Sequence, residues 1–237
     1  GLALTSDVNP YLMEANPYHG TMSAVEEVCR NLASVGARID SLADCLCFGN
    51  PRRPDIMGQF KASCEALRDA AIAVDVPYVS GNVSLYNETQ EGAIPPTPVL
   101  MGIGLVNDIR KCVTSDMKSE GSIWLVGQTK EEMGASLYYR TLGIECPKVP
   151  TTNFKTFLPR MEQLIQAIEN EEVVACHDIS NGGLALSIIE MCMSGFGAEI
   201  TFDGKLRTDV ELFSESNGRW IVQVAPDVLF ACTRRVV

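Results

Sequence analysis

A layered α/β architecture is what this 237-residue sequence predicts, on three observations. Short apolar runs of strand length alternate with amphipathic stretches of helix length along the chain, the order that builds sheets covered by helices. Hydrophobic residues make up 46% and charged residues 21%, which supplies a packed core and argues against a chain dominated by disorder. No internal repeat or low-complexity tract points to a solenoid or an array. The length fits one or two domains.

Residues 2–8 read as a first strand. Asn9-Pro10 and Asn16-Pro17 punctuate the loop after it. A helix is expected over 21–34, with Val25, Val28 and Leu32 on one face and Ser23 and Glu26 at capping-box spacing. A second helix starts after Asp55, with Ile56, Phe60, Cys64, Leu67 and Ala71 as its core stripe. Residues 77–80 and 98–106 read as strands, the latter so continuously apolar that burial on both faces is expected. Polar residues gather over 107–121, which places a domain boundary near Lys118, between units 1–117 and 118–237. The second unit is expected to hold a strand at 122–126, helices at 130–142 and 153–170, and a strand at 173–176. A helix from Gly183 that Gly195 ends follows, then strands at 198–202 and 219–224. No closing strand is evident in 225–237, so the second unit is expected to be incomplete.

Composition narrows the function classes. Lys and Arg number 19 against 30 Asp and Glu, a net charge of -11, so the basic footprint that nucleic-acid backbones demand is missing. No apolar run approaches the ~18 residues of a membrane span, and no signal-peptide pattern opens the chain, which predicts a cytoplasmic protein with no membrane partner. The nine cysteines, Cys29, Cys45, Cys47, Cys64, Cys112, Cys146, Cys176, Cys192 and Cys232, have no repeated spacing and read as free thiols. Cys45 and Cys47 form the one close pair, and with only His19 and His177 beside them no zinc spacing results.

Three loops concentrate residues that a packed core does not need. In Asp44-Cys45-Leu46-Cys47-Phe48-Gly49-Asn50-Pro51 an acid closes an apolar strand, where α/β sheets bind ligands; turn capping is the plain alternative. In Ser80-Gly81-Asn82-Val83-Ser84 the glycine lets a backbone amide approach a phosphate. Asn82 offers a neutral oxygen to a hard cation, and Ser84 a donor and acceptor; an ordinary turn would contain the same residues. In His177-Asp178-Ile179-Ser180-Asn181-Gly182-Gly183 a strand end runs through glycines into a helix start, where anions bind. No nucleophile motif accompanies His177 and Asp178, which favours a structural or binding role. His19, in a Pro-Tyr-His-Gly stretch, reads as turn packing. Walker and dinucleotide fingerprints are absent.

These loops, in this order and over essentially the whole chain, resemble the second half of phosphoribosylformylglycinamidine synthase, in the superfamily of aminoimidazole ribonucleotide synthetase. Residues 44–51 resemble the family's Asp-Cys-Leu-Asn-Phe-Gly-Asn-Pro. Ser80-Gly-Asn-Val-Ser-Leu-Tyr-Asn-Glu88 with Ile94-Pro-Pro-Thr-Pro98 resembles its most specific signature, and residues 177–183 and 212–217 continue the match. The resemblance implies a ferredoxin-like N-terminal domain followed by an α/β C-terminal domain. It implies ATP-dependent conversion of formylglycinamide ribonucleotide to formylglycinamidine ribonucleotide in purine biosynthesis, a ligase forming a C–N bond. In that reaction ATP activates an amide oxygen and ammonia from a glutaminase domain or subunit attacks. It further implies that Asp44 and Gly81 contact ATP, Asn82 ligates magnesium and Ser84 contacts the substrate.

Departures accompany the match. Cys47 stands where the family pattern has Asn, Asn181 where Asp is usual and Asn217 where Gln is frequent. The family's first half, which carries its catalytic histidine, is not in this sequence, so no catalytic residue is assigned. The isolated chain is expected to be inactive, to need the remaining half of the synthase, and to pair its exposed sheet with a second copy. An alternative within the same enzyme is a non-catalytic, nucleotide-holding scaffold. A thiamine-monophosphate kinase or selenophosphate synthetase is a third reading, disfavoured by the opening Thr5-Ser6-Asp7-Val8-Asn9-Pro10.

Overall fold

Two Asn-Pro pairs that the sequence presents as loop punctuation start helices instead. In the computed structural model, which describes residues 1–202 and 204–225 and the backbone of 234–236, strand β1 (Leu2–Asp7) leads into α1 (Pro10–Ala15) and α2 (Pro17–Ser34). Asn9 and Asn16 are the N-caps, their side chains accepting from Leu12 N at 3.1 Å and His19 N at 3.0 Å, and each proline fills the first helical position, where no amide is needed. The capping box expected at Ser23 and Glu26 therefore falls inside α2, and His19 sits in its first turn.

Strand β2 (Arg38–Cys47), α3 (Pro54–Val74) and β3 (Tyr78–Ser84) follow. A small hairpin, β4 (Glu88–Thr89) with β5 (Gly92–Ala93), precedes β6 (Thr97–Leu105). The first sheet has the order β1-β6-β2-β3, antiparallel except for the parallel pair β2 and β3. Helix α2 packs on one face. The other face is open, so β6 alternates: Leu100 is buried while Met101 and Leu105 are exposed, and the expected two-sided burial is not found. Leu2 and Leu4 of β1 continue the open apolar face at 73% and 64% exposure.

The second sheet, order β10-β7-β9-β8, is antiparallel and comprises β7 (Ile123–Val126), β8 (Val173–Asp178), β9 (Trp220–Val224) and β10 (Arg234–Val236). The closing strand that the sequence does not announce is thus β10, paired with β7; the rest of the expected incomplete end, 226–233 and 237, lies outside the described residues. The helix expected over 130–142 shrinks to α4 (Leu137–Thr141), because Ala135 takes a left-handed φ of 60° and Ser136 caps the helix. Helices α5 (Phe154–Glu169) and α6 (Gly183–Cys192) lie where expected. Residues 198–202 form no strand, and α7 (Thr208–Phe213) has no sequence expectation behind it.

One core joins elements on both sides of the polar stretch at 107–121: Val28 and Leu32 of α2, Leu164, Ile165 and Ile168 of α5, and Trp220 and Val222 of β9 belong to the same buried cluster. A smaller cluster of Leu125, Ile179, Leu184, Ile188 and Ile221 packs α6 on the second sheet. Among the described residues no helix is long and apolar enough to cross a membrane.

Candidate functional site

The four residues singled out as ligand contacts come together on the β2–β3 ladder. Asp44 is in register with Gly81, Cys45 with Asn82 and Cys47 with Ser84. Gly81, Asn82 and Ser84 therefore lie within a strand, not in the loop expected after residue 80, and Asp44 stands three residues before the end of β2. Alternation along the strands puts them on two faces. Asn82 and Ser84 share the open face with Cys45 and Cys47, while Asp44 shares the helix-covered face with Leu42, Leu46 and Leu100.

Asp44 is half-buried between the sheet and α3. Burial pushes its carboxyl pKa up, and a backbone hydrogen bond from Asn82 opposes that shift. Its charge acts on Tyr78 and Cys64, which already have raised pKa values from burial. A Cβ on Gly81 would lie 3.0 Å and 3.1 Å from the Asp44 carboxylate oxygens. The missing side chain thus leaves a gap in the edge strand through which Asp44 meets solvent.

Ser84 is held by a residue the motif reading did not single out. Asn87 donates from Nδ2 to Ser84 O at 2.8 Å and to Phe48 O at 3.0 Å, and Ser84 Oγ donates to Asn87 Oδ1 at 3.2 Å. Backbone bonds from Phe48 N to Ser84 O and from Tyr86 N to Gly49 O, both 3.0 Å, fasten the two loops, and Tyr86 adopts a left-handed φ of 62° there. Glu88 joins them by accepting from Asn50 N at 3.2 Å. The Ser-x-x-Asn spacing was the available signal for Asn87.

Asn82 Nδ2 lies 3.5 Å from Cys45 Sγ. Among the described residues no three His, Cys, Asp or Glu side chains are grouped to hold a metal. Magnesium fits here only with Asn82 as one neutral ligand of a shell completed by phosphates and water, the way this ion is commonly held beside nucleotides.

The loops of residues 176–183 and 212–217 are tied into a different, interior constellation. Arg30, 1% exposed, lies 3.3 Å from Glu26 and from Glu27 and 3.5 Å from Asp178, linking α2 to β8. Burial drives the Glu26 carboxyl up to about 7 despite Arg30, and Glu27 is raised for the same first reason. His177 and Asp178 do touch: Nδ1 is 3.3 Å from the Asp178 carboxylate and Nε2 is 3.1 Å from Glu190. Burial lowers the His177 pKa, but these acceptors outweigh it and the net shift is upward. Both ring nitrogens of His177 are thus engaged by neighbouring acceptors. Glu215 accepts from Gly182 N and Leu137 N, both 2.8 Å, and Asn217 donates to Ser23 Oγ at 2.7 Å and Thr152 Oγ1 at 2.9 Å. Gly183, at φ 65°, passes so close to Leu212 O and Ser214 O that a Cβ would come within 2.7 Å of each. Asn181 accepts from Asn9 Nδ2 at 3.3 Å. The signal for this knot was in α2, where Glu26 and Glu27 precede Arg30 by four and three residues.

Comparison with known proteins gives this geometry a family. Residues 1–106 match the family model described as AIR synthase related protein, N-terminal domain, and residues 123–234 match AIR synthase related protein, C-terminal domain. The chain belongs to the AIR synthase related protein family. Among curated members, it is 41% identical over 238 residues to phosphoribosylformylglycinamidine synthase subunit PurL of Methanothrix thermoacetophila, covering 95% of this chain and 31% of that subunit. The chain thus spans about a third of the length of the curated relatives it matches. Two solved structures share the AIR synthase related fold. Thermotoga maritima PurL complexed with FGAR aligns at a TM-score of 0.78 and 18% identity, over 95% of this chain and 38% of that one. The same protein complexed with ATP aligns at 0.69 and 22% identity, over 100% and 34%. The mixed α/β fold expected from the sequence is the fold of this family.

Proposed function

We propose that this chain is a segment of a phosphoribosylformylglycinamidine synthase, contributing part of the site that converts formylglycinamide ribonucleotide to formylglycinamidine ribonucleotide with ATP and glutamine-derived ammonia. The observation that carries the reading is the β2–β3 ladder, which sets Asp44 beside Gly81 and places Ser84 three residues on, in a chain 41% identical to a PurL subunit. In this reading Asp44 and Gly81 contact ATP at the edge of the sheet. The half-buried carboxylate accepts hydrogen bonds, and the glycine leaves room for it and for the ligand. Ser84, fixed by Asn87, contacts the ribonucleotide on the open face. Asn82 supplies one oxygen to magnesium, which would neutralise phosphate charge that a chain of net charge -11 does not offset by itself.

The domain division falls near Lys118, giving units 1–117 and 118–237. The remaining part of the synthase covers the open sheet face and supplies the catalytic residues, and a glutaminase domain or subunit supplies ammonia. The relatives' threefold greater length and the FGAR complex of T. maritima PurL support this assembly. The test is to combine the chain with the rest of the subunit and follow ATP-dependent product formation. The expected result is no turnover by the chain alone, turnover on combination, and loss of activity by about a hundredfold or more in Asp44→Ala and Ser84→Ala, as removal of transition-state contacts gives. Turnover by the chain alone overturns the segment reading, and full activity of both variants overturns the site.

One observation favours a second reading, a scaffold that holds a nucleotide without turning it over. A cavity of about 240 Å³ lies at the start of α5, lined among others by Glu26, Lys130, Thr152, Asn153, Arg160 and Asn217. Two cationic side chains and a helix start suit a phosphate group. Retained synthase activity in the variants above, with lost nucleotide binding in Arg160→Ala, is the outcome this reading expects.

A further inference from the structure

Cys45 and Cys47 stand two residues apart on β2, so both side chains leave the same face of the strand. That is the open face, and their Sγ atoms are 3.8 Å apart, in van der Waals contact. Both are half-buried and no helix covers them, whereas Cys29 and Cys176 are buried in the core. With no third ligating side chain grouped beside them among the described residues, the two thiols do not make a zinc site. What they offer is a dithiol already in contact on a face that is open in this chain.

We propose that Cys45 and Cys47 are a reversible dithiol–disulfide pair, oxidised by hydroperoxides, whose state is coupled to the 82–84 segment of β3. One sulfur attacks a peroxide oxygen; the O–O bond breaks, leaving a sulfenic acid and releasing water. The second sulfur attacks the sulfenic sulfur; the S–O bond breaks, the S–S bond forms and a second water leaves. Two thiol protons and two electrons pass to hydrogen peroxide, and an external dithiol reverses the reaction by exchange.

Two features make the bond easy to reduce and structurally consequential. Residues two apart on a strand have Cα atoms about 6.4–6.8 Å apart, the far end of what a disulfide spans, so closure strains the strand and raises its reduction potential. Drawing the sulfurs from 3.8 Å to about 2 Å also shortens β2 where it faces Asn82 and Ser84 on one side and Val99 and Thr97 on the other. The Asn82 amide, 3.5 Å from Cys45 Sγ, loses its neighbour in the same step.

The test uses the 237-residue chain, hydrogen peroxide and tryptic mapping, because the peptide of residues 39–52 contains these two cysteines and no others. After brief oxidation and thiol blocking, that peptide is expected to be unblocked and lighter by two hydrogens, and dithiothreitol restores two blockable thiols. Cys45→Ser should instead leave a sulfenic acid that dimedone traps at residue 47. Sulfinic acid in the wild-type peptide, a link to another peptide, or two thiols still blockable after the exposed Cys112 has reacted each overturns the pair. Amides of residues 82–84 should exchange hydrogen faster in the oxidised chain, with residues 2–7 of β1 as the reference; equal exchange overturns the coupling.

Discussion

Glu26 is 0% exposed, and its two oxygens serve different masters: Oε1 accepts from Gly218 N at 3.1 Å, while Oε2 lies 3.3 Å from Arg30. Burial raises its pKa from 4.5 to about 7, so the folded chain holds this proton more tightly than the unfolded one. Stability from this group is therefore fully present below the unfolded pKa of 4.5 and is lost as pH rises through about 7. Glu27 and Asp7, raised chiefly by burial, push in the same direction. The expected outcome is a melting temperature that falls between about pH 5 and 8, with a shallower fall in Glu26→Gln because the other two groups remain. Thermal melts over that range check it, and an identical slope in the variant would remove Glu26 as the source. None of this was legible as a motif. Glu26 looks like half of a capping box until Asn16 is known to start the helix ten residues earlier, and its pKa is raised by a burial that no local pattern announces.

At the scale of elements, α3 offers a sharp check on helix energetics. Gly58 lies inside Pro54–Val74, is exposed, and a Cβ built there meets nothing within 4 Å. Gly58→Ala is expected to raise stability by about 0.5–1 kcal/mol through reduced backbone freedom in the unfolded chain. Urea denaturation reads it directly, and destabilisation would mean that the helix is not continuous at that position. Helix α3 was visible in sequence because its apolar residues recur at helical spacing, and β9 because Trp220, Ile221, Val222 and Val224 make a strand-length apolar run. The failures also have causes. Residues 130–136 carry helix-forming side chains, yet Gly134 packs against residues 146–148 so tightly that the segment follows those neighbours instead. Residues 81–84 of β3 read as a loop because Gly81, Asn82 and Ser84 are turn residues; parallel pairing with β2 overrides their preference. The ligand candidates could be picked by type, but their division between two faces follows from that pairing alone.

For the whole molecule, the open face of the first sheet sets the behaviour of the chain in isolation. Leu2 and Leu4 of edge strand β1, with Met101 and Leu105 of the adjoining β6, form an exposed apolar strip. Self-association is expected, with a dimer or larger species growing with concentration in analytical ultracentrifugation. Leu4→Lys should weaken it by placing a charge in the strip. A wild-type chain that stays monomeric at high concentration would show that the strip is tolerated in water. The continuity of the core across the polar stretch at 107–121 was not legible, because Val28, Ile168 and Trp220 are brought together only by the packing of α2 and α5 on β9.

That packing equips the chain with an optical probe of its own. Trp220, fully buried, stacks on Phe157 with ring centres 5.5 Å apart and donates from its indole nitrogen to Arg30 O at 3.1 Å, joining β9 to α2. The sequence holds just one other indole, Trp124, which is partly exposed. With Trp124 replaced by Phe, emission should come from one dry, hydrogen-bonded fluorophore at the seam, and a red shift would report water reaching that seam long before the chain unravels.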